Sequence, residues 1–259
     1  KLQGNTYLTI DFTPHLQFKT SNGIYFSYRE YNKKEQTSAN KQGNPNMLTR
    51  QMNMRRELLT ENILSYKNNW GGHEVDGMLG FTAQKSMYNS NTMVGTNFPD
   101  EDILSFNMAS QLILNSPSVN GTTSFYYADA LASLIARVNY AYMGKYLFSA
   151  SMRADGSSLF ASGRKWDYFP AVSLGWRPSE EGFLQDIDWL SNLKARVSYG
   201  ITGNNSIPQY AYMNLINTSN YVLGAGTGSL VQGMSSNDAA LGNPDITWEK
   251  VGEFNFGLD

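Results

Sequence analysis

Between Leu134 and Tyr142, apolar and polar side chains take turns. Leu134, Ala136, Val138, Tyr140 and Tyr142 fall on one face; Ile135, Arg137, Asn139 and Ala141 fall on the other. Successive side chains of a strand point to opposite sides, so a period of two predicts a β-strand with one apolar face. The pattern recurs. Ala150, Met152 and Ala154 oppose Ser149, Ser151, Arg153 and Asp155, and Leu193, Ala195, Val197, Tyr199 and Ile201 oppose Lys194, Arg196, Ser198 and Gly200. Phe254, Phe256 and Leu258 oppose Glu253, Asn255 and Asp259; Val75, Leu79, Phe81 and Ala83 oppose Glu74, Asp76, Thr82 and Gln84. Alternation read together with turn residues predicts about nine strands, at 5–12, 16–31, 57–67, 73–87, 130–143, 146–155, 167–177, 193–202 and 250–259.

The polar faces carry Arg, Lys, Glu and Asp in mid-strand. A soluble sheet with one wet face tolerates this, and so does the interior of a wide membrane barrel. The connections separate the two. "TPH" (13–15), "NNWGG" (68–72) and "MGK" (143–145) are tight, whereas 32–56, 88–129, 156–166 and 203–249 are long and polar. Short turns on one side and long loops on the other are the asymmetry of an outer-membrane barrel. Residues 177–192, "RPSEEGFLQDIDWLSN", read as a short helix on the short-turn side, with Ser179 as cap and Glu180 and Glu181 in its first turn. Aromatics gather near strand ends: Tyr140, Tyr142, Tyr146 and Phe148 around one turn, Trp70 in another, and Trp166, Tyr168 and Phe169 after a loop. They read as an interfacial girdle or, in a soluble sheet, as cross-strand pairs.

Composition supports a β-rich chain: 16 Tyr, 13 Phe and 23 Gly in 259 residues. A net charge of −2 gives no electrostatic case for nucleic acid, and the absence of cysteine removes disulfides and thiolate chemistry. No segment approaches the roughly 20 apolar residues of a membrane helix, which leaves barrel strands open. Candidate chemistry is thin. "GAGTGS" (224–229) lacks the strand, helix and lysine of a phosphate loop; "PDED" (99–102) reads as a solvated acidic loop; His15 and His73 sit in different turns. No catalytic constellation, metal site or cofactor is expected.

The motifs now enter. Residues 133–184 contain Arg137-Val-Asn139-Tyr140, then Arg153-Ala-Asp155-Gly156-Ser157-Ser158-Leu-Phe160, then Phe169-Pro170-Ala-Val-Ser173-Leu-Gly175-Trp176 and Glu181-Gly-Phe183. "LKARVSYGITGNN" (193–205) and "NPDITWE" (243–249) follow in order. This succession over 133–259 resembles the SusC/RagA family of TonB-dependent outer-membrane transporters. Residues 1–132 agree in strand pattern only, and Leu159 stands where the family more often has a basic residue.

The resemblance implies an all-β fold: an antiparallel transmembrane β-barrel segment, about nine strands of a 22-stranded barrel with long extracellular loops and a plugged lumen. It implies that residues 1–259 belong to the barrel domain, with the plug and the TonB-contacting segment outside this sequence and both terminal strands pairing with further polypeptide. The implied activity is import of glycans or peptides, driven by the TonB complex and served by a SusD-like surface lipoprotein as lid. No enzymatic step is expected. Arg137, Arg153, Asp155, Lys194, Arg196 and Glu253 become lumen-facing candidates, because Arg in hydrocarbon costs roughly 2–4 kcal/mol near the midplane. Tyr126, Tyr127, Tyr210, Tyr212 and Tyr221, in the long polar connections, become candidates for contact with ligand or lid. Two rivals are a soluble β-sandwich binding carbohydrate, whose apolar faces meet in a core, and a passive porin-like barrel. A barrel enzyme is a third, with only two His to draw on.

Overall fold

The computed structural model describes residues 1–37, 45–100, 102, 105–113, 123–184, 192–214, 217–223, 229–235 and 241–259. Its elements are strands joined by turns: β1 (Leu2–Thr13), β2 (Leu16–Glu35), β3 (Met47–Trp70), β4 (His73–Thr96), β5 (Gln111–Leu112), β6 (Thr123–Tyr142), β7 (Tyr146–Ser157), β8 (Trp166–Trp176), β9 (Ala195–Asn204), β10 (Asn217–Leu223), β11 (Ser229–Ser235) and β12 (Glu249–Leu258). One sheet has the order β1-β2-β3-β4-β6-β7-β8-β9-β12, with β5 on β4; β10 and β11 form a separate antiparallel hairpin. All nine strands expected from alternation are in the main sheet. This is an all-β fold of sequential antiparallel neighbours.

The chain forms two compact units. The first comprises 1–6, 22–59 and 84–129. Here β2, β3, β4 and β6 run beyond their expected limits. The connections read as 32–56 and 88–129 are therefore shorter, and Tyr126 and Tyr127 belong to a strand, not a loop. The reason is chemical: 32–35 is wholly polar, and in 47–56, 88–96 and 123–129 apolar residues are interspersed with Asn, Arg, Ser, Thr and Asp, so no alternation runs the length of any extension. Side-chain amides join them instead. Asn53 Oδ1 accepts from Tyr88 and Ser90 at 3.2 and 2.7 Å, and Ser124 donates to Asn91 at 2.7 Å. Leu48, Val94 and Phe98 are buried in this unit. Asn46 holds Phe98 by both backbone groups, at 2.8 and 3.0 Å.

The second unit comprises 7–21, 60–83 and 130–259. Its tight turns have local causes. Gly71 and Gly72 both take positive φ, as do Met143 and Gly144. Two successive positive-φ residues match a two-residue hairpin turn to the twist of its strands. At 13–15, Thr13 Oγ1 accepts from the backbone N–H groups of His15 and Leu16.

Two expectations are corrected. The helix over 177–192 is a single 3₁₀ turn, Pro178–Glu180, within the described part of that stretch. Ser179 does not cap it; its hydroxyl donates to the Leu193 carbonyl at 3.3 Å. Glu181 is drawn sideways to β7 and β8 and does not serve a helix dipole. A strand also immediately precedes 224–228, contrary to expectation. It is β10, and the segment that follows is strand β11, not the helix a phosphate loop requires.

The buried cluster of this unit is small: Phe160, Phe169 and Trp248, with Leu131, Ile201, Ile207 and Ile246 against it. Of the apolar faces of β6–β9, Ile201 packs against it, but the rest of these faces points elsewhere. Leu134 is 54% exposed; Val138, Val172 and Leu174 are also exposed, and Val197 is half-buried. The β-sandwich alternative required these side chains to meet in a core.

Candidate functional site

The ladders of β6, β7, β8, β9 and β12 sort their side chains into two faces. On one, Leu134 lies beside Ala154, Val138 beside Ala150, Val172 beside Tyr199, and Leu174 beside Val197 and then Phe256. The other face is polar and is organised in transverse rows. One row reads Asn139, Ser149, Ser173, Ser198, Asn255, one residue from each successive strand. The next row reads Arg137, Ser151, Ala171, Gly200, Glu253. Row formation follows from hairpin register: once the turns fix one pair, residues two apart repeat the same facing. The Asn/Ser row lines a cavity of about 870 Å³ with Lys67, Glu74, Asp76 and Arg196 among its other walls.

Five of the six lumen-facing candidates fall on this polar face by ladder position. Arg137 and Glu253 stand in one row. Arg153 sits opposite Ile135, Asp155 opposite Ser133, and Arg196 opposite Gly257. Lys194 exchanges both backbone hydrogen bonds with Asp259 at 2.8 Å, just before β9 begins. The charges are not equally available. Arg153 Nε bonds both oxygens of Asp155, at 2.7 and 2.8 Å, and Arg153 Nη2 donates to Ser133. Asp155 is 7% exposed and Ser133 is fully buried. Arg196 pairs with Asp259 at 3.1 Å. Arg137 has no ion pair or side-chain hydrogen bond among the described residues, and Glu253 accepts only from Asn255, at 3.0 Å.

The loop candidates belong to different elements. Tyr126 is exposed on β6, and Tyr127 packs its ring 5.1 Å from Tyr88. Tyr210 takes positive φ in a turn, and Tyr212 is half-buried nearby. Tyr221 lies on β10 opposite Val231, and its side chain is outside the described residues.

Two arrangements were not read as sites. The first is a knot made by the sequence motifs. Phe160, Phe169 and Trp248, one from each of three motifs, pack with Trp248 centred 5.4 Å from both partners. Trp248 Nε1 donates to the Lys165 carbonyl at 3.0 Å, Asn205 donates to Ser157, and Lys250 pairs with Asp167 at 2.6 Å. An ideal Cβ on Gly203 would sit 2.2 Å from the Phe169 ring, so only glycine fits. The motif spacing was the available signal; convergence was not legible from it.

The second is a rim at the tight-turn end. Lys67 N–H donates to the His15 carbonyl, Met143 N–H to Gly72, and Arg177 N–H to Lys145. Glu181 accepts from Tyr146 at 2.6 Å, Trp176 at 3.3 Å and Lys145 at 3.4 Å. These donors, the Tyr146 hydroxyl foremost, hold its carboxyl below the usual range. His73 Nδ1 contacts the Tyr140 hydroxyl at 2.7 Å and stacks between Trp70 and Tyr140. With Tyr142 beside Tyr146, these rings form a belt at the turns. No metal-holding cluster occurs among the described residues.

Residues 2–259 match the family model described as TonB dependent receptor-like, beta-barrel. The TonB-dependent receptor P39 of Formosa agariphila is 34% identical over 98% of this chain, which covers 23% of that protein. The TonB-dependent receptor SusC of Bacteroides thetaiotaomicron is 38% identical over 53% of the chain and 14% of its own length. A solved structure of the RagAB peptide importer in the closed-closed state superposes over 99% of the chain and 27% of its own, with TM-score 0.83 and 22% identity, a likeness of fold. The chain thus spans about a quarter of the relatives it matches along its whole length. It belongs to the TonB-dependent receptor family, and its strands are those of an outer-membrane β-barrel.

Proposed function

We propose that this chain is a wall segment of a SusC-like nutrient importer whose plug and TonB-contacting segment lie elsewhere in a longer polypeptide. The observation that carries the reading is the division of one sheet into an exposed apolar face and a charged face. The first suits lipid; the second suits a wet lumen. Arg137, Arg153, Asp155, Lys194, Arg196 and Glu253 line that lumen. Cargo, a glycan or a peptide, passes along it when the TonB complex pulls on the plug. A SusD-like lipoprotein closes the extracellular mouth, touching the turn that holds Tyr210 and Tyr212, strand β10 that holds Tyr221, and the end of β6 that holds Tyr126 and Tyr127. No covalent chemistry is involved. Deleting TonB is expected to abolish uptake in intact cells producing the complete transporter; unchanged uptake favours the passive-barrel alternative.

This reading fixes sidedness. The turns at 13–15, 71–72 and 143–145 and the stretch 178–192 face the periplasm, and β10–β11 faces outward. Whole cells carrying Ser235→Cys are expected to react with a membrane-impermeant thiol reagent, whereas those carrying Lys145→Cys stay unlabelled. The reverse pattern inverts the orientation.

A further inference from the structure

We propose that the tight-turn end of β7–β9 holds one phosphatidylethanolamine of the periplasmic leaflet, with an acyl chain in a groove on the apolar face and the headgroup at Lys145, Arg177 and Glu181; this rests on the sidedness given above. Register builds the groove. The apolar row nearest the turns reads Tyr142, Tyr146, Trp176, Ala195, Leu258, and the next row inward reads Tyr140, Phe148, Leu174, Val197, Phe256. Ala195 is the one small side chain in these two rows. It lines a cavity of about 410 Å³ together with Tyr146, Phe148, Leu174, Trp176 and Phe256. The walls come from β7 and β8 on one side and β12 on the other, so both sides belong to this chain. Arg196 also borders the cavity, but it stands on the polar face and pairs there with Asp259.

Size and setting select the tail. The outward face of an outer-membrane barrel meets hydrocarbon. An α-helix with its side chains is about 10 Å across and would fill the cavity in roughly one turn, whereas an acyl chain, one methylene wide, lies along it. Charge selects the head. The rings of Tyr146 and Trp176 wall the groove, and their polar ends both donate to Glu181, at 2.6 and 3.3 Å. Lys145 Nζ stands 3.4 Å from the same carboxylate, and both side chains keep part of their surface exposed. Arg177 is tied to this corner, its backbone N–H donating to the Lys145 carbonyl and one guanidinium N–H to the Gly144 carbonyl. A guanidinium has five N–H donors, so it can serve a phosphate as well. Two cations beside one carboxylate match a phosphate beside an ammonium, the charge order of phosphatidylethanolamine. The donors around Glu181 favour its ionised form, the form an ammonium requires. The leaflet supplies the ligand: in an outer membrane, phospholipid forms the periplasmic leaflet and lipopolysaccharide the outer one.

The test is native mass spectrometry of the complete transporter in detergent, titrated with phosphatidylethanolamine, phosphatidylglycerol or lipopolysaccharide. The parent is expected to retain one phosphatidylethanolamine. Ala195→Trp fills the cavity and is expected to weaken that binding roughly tenfold. Ala150→Trp, on the same face but outside the cavity, is expected to leave it unchanged. Glu181→Gln keeps the shape and removes the charge; it is expected to weaken phosphatidylethanolamine roughly tenfold and to spare phosphatidylglycerol. The heat-dependent shift of each barrel on electrophoresis confirms that the variants fold. Unchanged retention in Ala195→Trp overturns the site, and so does an equal loss, or no loss, of the two phospholipids in Glu181→Gln. A parent that carries no lipid and leaves a dimer on Ala195→Trp also overturns it, giving the groove to a second copy. These outcomes leave the importer reading standing as long as Lys145→Cys stays unlabelled in whole cells. Lipopolysaccharide held in the groove, with Lys145→Cys labelled, overturns the sidedness and the site with it.

Discussion

Trp248→Ala is expected to destabilise the protein by about 3–5 kcal/mol, the usual cost of deleting a large buried aromatic. Trp248 is 6% exposed and packs against Phe160, which is fully buried, and Phe169. Three effects add. Apolar area returns to water, two ring contacts at 5.4 Å are lost, and the Lys165 carbonyl loses the indole N–H that satisfies it. Collapse cannot relieve the cavity, because Phe169 is already pressed against Gly203. Trp248→Phe keeps much of the packing and forfeits the hydrogen bond, so its cost should be the smaller of the two. The measurement is urea-induced unfolding of the complete protein in lipid vesicles. A Trp248→Ala midpoint indistinguishable from that of the parent would show that the knot contributes nothing to holding the 158–165 and 205–248 connections.

Strand number was legible because the sheet is one residue thick and two-sided. Along 134–142 and 195–201, lipid and water impose opposite requirements on neighbouring residues, and the alternation survives in plain form. Strand ends were not legible. Across Asn89, Ser90 and Asn91 both faces are polar, and around Asn53 only Met52 and Met54 alternate among Thr49, Arg50, Gln51, Arg55 and Arg56, so β3 and β4 run on with little binary pattern to mark them. The β10–β11 hairpin was hidden for the opposite reason: "GAGTG" reads as loop, and the strands on either side are only seven residues each. The 178–192 stretch misled because Ser179, Glu180 and Glu181 are good helix starters in isolation. Tertiary partners override that preference when Tyr146 and Trp176 are within reach of Glu181.

The faces of the candidate site were legible, but its rows were not. Arg153 and Asp155 are two apart on one strand, so their pairing could be read from sequence. That Arg137 and Glu253 fall in one row depends on four registers, and the last of them joins β9 to a strand 44 residues further along the chain. Separation in sequence holds no information about that alignment.

Adjacent residues of β8 give the sharpest test of which face meets lipid. Val172→Arg is expected to cost roughly 2–4 kcal/mol, and Ser173→Arg close to nothing. Val172 is exposed beside Ala150 and Tyr199 on the apolar face; Ser173 stands beside Ser149 and Ser198 on the polar one. In lipid, a guanidinium at 172 must lose hydration or drag water inward, since its ladder neighbours Ala150 and Tyr199 carry no acidic group to meet it. At 173 the same group remains in a row of hydroxyls and amides that already line a cavity with Glu74 and Asp76. One position along a strand therefore separates a damaging substitution from a tolerated one, a contrast that no difference in strand propensity could produce, because both variants introduce the same residue. Unfolding midpoints in vesicles measure it. Equal tolerance of the two arginines would mean that neither face meets hydrocarbon, and a larger cost at 173 would turn the wall inside out, moving Arg137 and Glu253 to the lipid side.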